Sequence, residues 1–166
     1  MKIREMVRDD WDAVRAIYLE GITTGQATFE TSAPSWEKWD SSHLPFARLI
    51  ASSEPDGLTQ GWAALSGVSA RSVYAGVAEV SVYIAGDLRG QGLGRQLLLA
   101  LIKESEKNGI WTLQASIFPE NRASITLHQS CGFRIVGVRE RIGNICNVWR
   151  DTVLMERRSE LAGSDL

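Results

Sequence analysis

The chain has 166 residues, the size of one ordinary domain. Its 18 basic and 20 acidic residues leave a net charge of −2, which gives no electrostatic case for a general nucleic-acid binder. Hydrophobic residues at 44% and charged residues at 23% suit a globular core. The opening MKIREMVRDDW lacks the apolar run of a secretory signal, and no segment approaches the ~20 apolar residues that cross a bilayer. A cytoplasmic protein without membrane or nucleic-acid partners is expected. Cys131 and Cys146 are too few for a disulfide framework. With His43 and His128 as the sole histidines, no metal site is expected.

In chain order, KIREM alternates and predicts a short strand. RDDWDAVRAIYLEGI carries Trp11, Val14, Ile17 and Tyr18 on one helical stripe, with Asp9 or Asp10 as cap. TTGQATFETSAP predicts an irregular loop, and SWEKWDSSHL a short helix capped by Ser35. FARLIAS, LTQGWAALSGV and AEVSVYIAG read as strands, with SEPDG as a turn and SARSVYAG as a variable connection. The segment after RGQGLG places Leu97, Leu98, Leu101 and Ile102 on one broad face and ends at Asn108-Gly109. IWTLQASIF predicts a strand. ENRASITLHQSCGF predicts a helix capped by Asn121 and stopped at Gly132. Two last strands, FRIVGVRERI and CNVWRDTVLMER, are expected to turn around Gly143-Asn144, and the tail 159–166 to fray. Seven strands and four helices in this order imply one α/β (α+β) domain over 1–158 with a mixed, mostly antiparallel sheet.

Glycines 90, 92 and 94 sit directly before a helix, with Arg89 ahead of them. A helix start offers unpaired N–H groups and partial positive charge, and glycine lets an anion approach the backbone. RGQGLG therefore suits a pyrophosphate. It has neither the Lys-Ser/Thr ending of a P-loop nor dinucleotide-fingerprint spacing. A plain strand-to-helix turn is the alternative.

Two blocks together carry more. Arg89-x-x-Gly92-x-Gly94 resembles the signature of the GCN5-related N-acetyltransferases, and Asn121-x-x-Ser124-x-x-x-His128-x-x-x-Gly132-Phe133 resembles the next helix of that superfamily. AEVSVYI resembles the strand before the signature, and NVWRDTVLMERRS resembles the phosphinothricin N-acetyltransferase branch. The resemblance runs from Lys2 to about Arg158 and implies the fold of that superfamily. It implies acetyl-CoA as donor, with its diphosphate on the main-chain amides from Gly90 through Gln91, Gly92, Leu93 and Gly94 to Arg95. It implies a pantetheine arm along Val82, Tyr83 and Ile84, in a splay between parallel strands. The implied acceptor is a small amine such as phosphinothricin, methionine sulfone or methionine sulfoximine, and the implied assembly a homodimer.

Acetyl transfer needs a neutral amine, so a base must take a proton. On an extended strand Glu79, Ser81 and Tyr83 share one face and Val80, Val82 and Ile84 the other. Glu79 matches the branch's proposed base; an edge glutamate in an ion pair is the alternative. A backbone N–H at Val82 or Tyr83 suits the developing oxyanion. Asn121, Ser124 and His128 share a helix face. His128 stands near the superfamily's proton-donating tyrosine, and a histidine bonded to a carbonyl fits equally well. Asn121 and Ser124 are expected beside the pantetheine.

For the acceptor, Arg71 suits a carboxylate or phosphinate, with Tyr74 nearby. Phe29 and Glu30 lie in the loop that serves the acceptor in this branch, and Ser81 lies on the cleft face. Trp149 is a candidate for a dimer interface, although core burial suits all six tryptophans. Cys131 reads as a buried thiol. Two other functions compete: acetylation of protein N-termini or polyamines, and non-catalytic acyl-CoA sensing. The sensor needs neither Glu79 nor His128.

Overall fold

A computed structural model describes residues 1–164. Strand β1 (Lys2–Glu5) leads to a short 3-10 turn and helix α1 (Trp11–Thr23). An irregular loop follows, and then α2 (Trp36–Ser42), whose start is capped as expected: the Ser35 hydroxyl accepts from the Lys38 amide at 3.3 Å. Asp10 does not cap α1 with its side chain. Its carboxylate instead takes two hydrogen bonds from Arg4, at 2.6 and 2.8 Å, and one from the Val7 amide. A bidentate guanidinium outcompetes a lone helix amide for a carboxylate.

The hairpin strands β2 (Leu49–Ser52), β3 (Thr59–Gly67) and β4 (Val77–Ile84) extend the sheet antiparallel from β1. Helix α3 (Leu93–Lys107) then crosses over to β5 (Thr112–Ile117), which runs parallel to β4. Helix α4 (Arg122–Ser130) precedes the long hairpin of β6 (Arg134–Ile145) and β7 (Val148–Arg158). The seven-stranded order is β1-β2-β3-β4-β5-β7-β6, so β7 inserts between its hairpin partner and β5. The expected mixed, mostly antiparallel sheet is present. The final turn differs from expectation. It lies at Cys146-Asn147, both with positive φ, as a two-residue hairpin loop of primed type requires. Gly143 is paired within β6. A methyl group there would lie 2.5 Å from the Phe29 ring, so its missing side chain serves packing.

Each face of the sheet carries its own core. Leu97, Leu98, Leu101 and Ile102 of α3, all buried, pack with Leu65, Leu113 and Met155 on one face. On the other, Met6, Val14 and Ile17 pack with Trp39, Ile50 and Trp62. Trp11, Trp36, Trp39 and Trp62 join in edge and stacked contacts at 5.6–5.8 Å. Aromatic pairs of this geometry add about 0.5–1.5 kcal/mol each beyond burial. Trp149 departs from the burial expected of the tryptophans: it is 59% exposed. It sits at the second position of β7 beside the hairpin turn, away from both cores.

The tail also departs from expectation through residue 164. Ser159 is buried and its hydroxyl donates to Glu106 at 2.8 Å, while Arg158 donates to the carbonyls of Trp111, Ala162 and Gly163. Backbone satisfaction by a folded-back arginine holds the segment down. Residues 165–166, expected to fray with it, lie outside the described residues.

Candidate active site

Strands β4 and β5 pair over three residues only, Val77 with Thr112, Ala78 with Leu113 and Glu79 with Gln114. Beyond Glu79, β4 continues five residues to Ile84 without a rung to β5, though it stays paired to β3 throughout. The strands diverge there, and a cavity of about 220 Å3 opens between them. It is lined from β4 by Glu79 to Tyr83, from β5 by Ala115 to Ile117, and by Phe118 beyond it.

Alternation along β4 sorts its side chains as expected. Val80, Val82 and Ile84 pack against the core under α3, while Tyr83 stacks on Trp62 with centroids 4.8 Å apart. Glu79 stays half-buried at the head of the cavity, where its carboxylate accepts from Gln114 Nε2 at 3.2 Å. Among the described residues, Glu79 is the sole acidic one of the lining and no Lys or Arg joins it. A cationic ammonium entering here meets one carboxylate among neutral donors. Burial, with the Tyr18 phenol beside it, pushes the Tyr83 hydroxyl far up, so Tyr83 stays protonated as a donor.

A second cavity, of about 460 Å3, adjoins the first. Gln26, Ala27, Val82, Tyr83, Asn121 and Ser124 line both. It runs past Ile84 to Arg89, Gly90, Gly92, Gly94 and Arg95. Gly90 and Gly92 hold φ of 76° and 81°, and a Cβ added to either would meet no protein atom within 4 Å. Open space therefore fronts the first amides of α3, which have no partner within the helix. This cradle fits a diphosphate held by main-chain N–H groups and the positive end of the helix. Gly94 has a different task, because a Cβ there would press on Leu127 of α4 at 3.3 Å. The diverging strands leave an unpaired strand edge between cradle and first cavity, which fits an amide-bearing chain such as pantetheine.

Of the other residues singled out in the sequence, Leu93 is buried in the core and Gln91 borders a separate hollow beside Gln60. Arg89 turns its Nε to the Ile84 carbonyl at 3.2 Å. Asn121 lines both cavities, and its side chain accepts from the Ser124 amide and donates to the Gln26 carbonyl, both at 3.2 Å. It thus holds the start of α4 and the loop opposite. His128 lines the first cavity and is 5% exposed. Its Nδ1 donates to the Ser124 carbonyl at 2.7 Å and its ring meets Phe133 edge-on. The neutral ring therefore carries its proton on Nδ1, and burial holds its pKa below the ordinary histidine value.

Phe29 lines the first cavity and Glu30 does not. Arg71 and Tyr74 meet each other, guanidinium over ring at 5.5 Å, on an exposed turn that lines neither cavity. Gln26, Thr28, Gln114, Ser116 and Thr152 are additions that sequence reasoning did not name. For Gln114 and Ser116 a signal existed: they alternate with buried Leu113, Ala115 and Ile117 in TLQASI. Thr152 offered none, because its place depends on β7 inserting beside β5.

Among the described residues no three His, Cys, Asp or Glu side chains gather as a metal site, and no helix is long and apolar enough to cross a membrane. Residues 3–154 match the family model for the acetyltransferase (GNAT) domain. The phosphinothricin N-acetyltransferase of Alcaligenes faecalis is 40% identical over 164 residues, covering 93% of this chain and 81% of that protein. A phosphinothricin acetyltransferase of the GNAT superfamily from Sinorhizobium meliloti, solved with acetyl-CoA, superposes with a TM-score of 0.89 at 27% identity, over 99% of this chain and 91% of its own. The ribosomal-protein-alanine N-acetyltransferase of Brucella melitensis superposes with a TM-score of 0.87 at 29% identity, over 96% and 100%.

Proposed function

Since the chain belongs to the GNAT acetyltransferase family, we propose that it moves an acetyl group from acetyl-CoA to the amine of a small amino acid or amino-acid analogue, with Glu79 as general base. One observation carries this reading: the parallel strands diverge just past a half-buried carboxylate, and the resulting cavity runs on to a glycine cradle at a helix start. The similarity to the Alcaligenes phosphinothricin N-acetyltransferase supports the acceptor class.

Acetyl-CoA, when bound, supplies a thioester carbonyl as electrophile. The amides from Gly90 to Arg95 would hold its diphosphate, and the free edge of Val82 to Ile84 its amide-bearing arm. Glu79 takes a proton from the acceptor's ammonium, directly or through one water, and so exposes the nitrogen lone pair. Gln114 restrains the Glu79 carboxylate by its hydrogen bond. A main-chain N–H of Val82 or Tyr83 suits the charge that develops on the carbonyl oxygen. His128 has its proton on the wrong nitrogen to donate into the cavity unless it becomes imidazolium, which burial opposes. Coenzyme A thiolate leaves readily, so the reaction does not require that donor.

An acid group on the acceptor meets neutral donors from Gln26, Thr28, Ser81 and Ser116 in the cavity. Phe29 supplies an apolar wall there. Arg71 and Tyr74 would serve only from outside it. A homodimer is proposed through the β6–β7 hairpin, supported by its exposed Ile135, Val136, Val138, Ile142, Val148 and Trp149. A cytoplasmic site of action is part of the same proposal, since the reaction needs a supply of acetyl-CoA.

A thiol-release assay over an acceptor panel tests the reading. Phosphinothricin, methionine sulfone, methionine sulfoximine and standard amino acids are compared with polyamines and alanine-ended peptides. Turnover is expected to be fastest with small amino acids or their analogues. Turnover confined to peptides would replace the acceptor class with the protein N-terminal one, and acetyl-CoA binding without any turnover would support a sensor.

A further inference from the structure

We propose that Arg150 is a positioning residue that shapes the acceptor cavity by fastening the α1–α2 loop to the segment between β5 and α4; this rests on the acyl-transfer reading above. Arg150 projects from β7, 14% exposed at its side chain, and lines neither cavity. Its Nη1 donates to the Gly25 carbonyl at 2.8 Å. Its Nη2 donates to Gln26 Oε1 at 2.9 Å and to the Glu120 carboxylate at 3.2 Å. The guanidinium carbon also lies 3.7 Å from the centroid of the Phe118 ring. One cation thus gathers segments 125 and 30 residues away in the chain.

The residues it gathers are those that build the cavity. Gln26 and Phe118 line it directly. Phe29, three residues past Gln26, meets Phe118 edge-on with centroids 4.8 Å apart. The loop has little structure of its own, and its internal bonds are short-range ones such as Gln26 N–H to Thr24 Oγ1. The loop is also held by the Asn121 amide on the Gln26 carbonyl and by Phe29, which packs on Phe118 and fills the space at Gly143. Arg150 contributes the charged fastening, and its planar fork reaches three acceptors while its face lies on an aromatic ring. A lysine ammonium cannot make that set of contacts. Because the guanidinium is engaged with the loop and Glu120, it acts on the acceptor through Gln26 and Phe29 rather than by touching it.

The test uses the full chain with R150M and R150K. Amide hydrogen exchange is followed across residues 24–30 without ligands, beside the KM for acceptor and for acetyl-CoA. In R150M the loop amides are expected to exchange about tenfold faster or more. The acceptor KM rises about tenfold and the acetyl-CoA KM rises less, since Gln26 lines both cavities, while kcat stays within about threefold and R150K recovers some of the loss. Unchanged loop exchange in folded R150M overturns the proposal. So does a KM increase limited to acceptors that carry an acid group, which would place Arg150 on the substrate itself. Should R150M fail to fold, R150K decides: wild-type exchange and wild-type acceptor KM in it refute the clamp. If the wild-type protein acetylates no amine in the panel, the acyl-transfer reading fails, yet the exchange measurement still judges the clamp.

Discussion

The side-chain amide of Gln114 donates to the carboxylate of Glu79 at 3.2 Å across the last rung between β4 and β5. The two residues are register partners, so strand pairing itself delivers the donor to the carboxylate. Immediately beyond this rung the strands diverge, which puts the carboxylate at the head of the cavity.

Replacing Glu79 by Gln keeps the shape and the bond to Gln114 but removes the proposed base. Near neutral pH kcat/KM is expected to fall by about 100-fold or more, the scale of general-base contributions. Calorimetric affinity for acetyl-CoA should stay at the wild-type value, since the glycine cradle is untouched. Gln114→Leu should cost far less, because the proposed base remains and only its restraint is lost. Near-normal turnover in E79Q would remove Glu79 from the chemistry.

Gly92 caps α3 with φ of 81°, a conformation that an alanine resists by about 1 kcal/mol. The added methyl group would touch no protein atom, so its remaining effect falls on whatever the cradle holds. Gly92→Ala is therefore expected to weaken coenzyme A binding about tenfold by titration calorimetry, with Tm lower by only a few degrees. Equal affinity in the variant would place the diphosphate elsewhere.

Most of the element order was legible because local signals agreed with the tertiary structure. The Ser35 and Asn121 caps, the α3 leucine face and the alternation of AEVSVYI each encode their own geometry. What escaped depends on partners distant in sequence. Asp10 looked like a cap until Arg4 of β1 came within reach. Gly143-Asn144 looked like a turn, but Phe29 from a loop more than a hundred residues earlier occupies the space above Gly143. The candidate site divides the same way. Its glycine cradle lies in one contiguous motif, whereas the cavity at Glu79 is assembled from the α1–α2 loop, β4, β5, α4 and β7. Arg71 shows the limit of proximity in sequence: it precedes the Glu79 strand yet packs on Tyr74 outside the cavity.

The exposed apolar residues of the last hairpin give a test of assembly. Trp149 is 59% exposed on one face of β7 and Val148 57% exposed on the other, and Val138 and Ile142 of β6 are exposed as well. Burying the apolar surface around Trp149 against a second copy would be favourable at about 25 cal/mol per Å2 of apolar area. Trp149→Asp should therefore shift the protein from dimer to monomer in analytical ultracentrifugation, with little change in the circular dichroism of the monomer. A wild-type protein that sediments as a monomer at high concentration would refute the hairpin interface.

The two histidines set the expected response of stability to mild acid. Burial lowers the pKa of both in the folded state; Arg48 adds to the effect at His43, while carbonyl bonds from Trp39 and Ser124 oppose it. Their unfolded values lie near 6.5. Between the folded and unfolded pKa the unfolded chain binds protons that the native protein refuses, so unfolding gains as pH falls. The stabilisation is complete above about pH 6.5 and declines below it until the native pKa is passed. Asp10 acts in another window: Arg4 lowers its pKa from 3.8, so its contribution is present above that value and is lost as pH falls through the folded one. Tm should accordingly fall from about pH 7.5 to pH 5.5, with a shallower slope in His128→Gln at matched ionic strength. An identical slope in that variant would mean that His128 titrates alike in both states and that the Ser124 carbonyl offsets its burial.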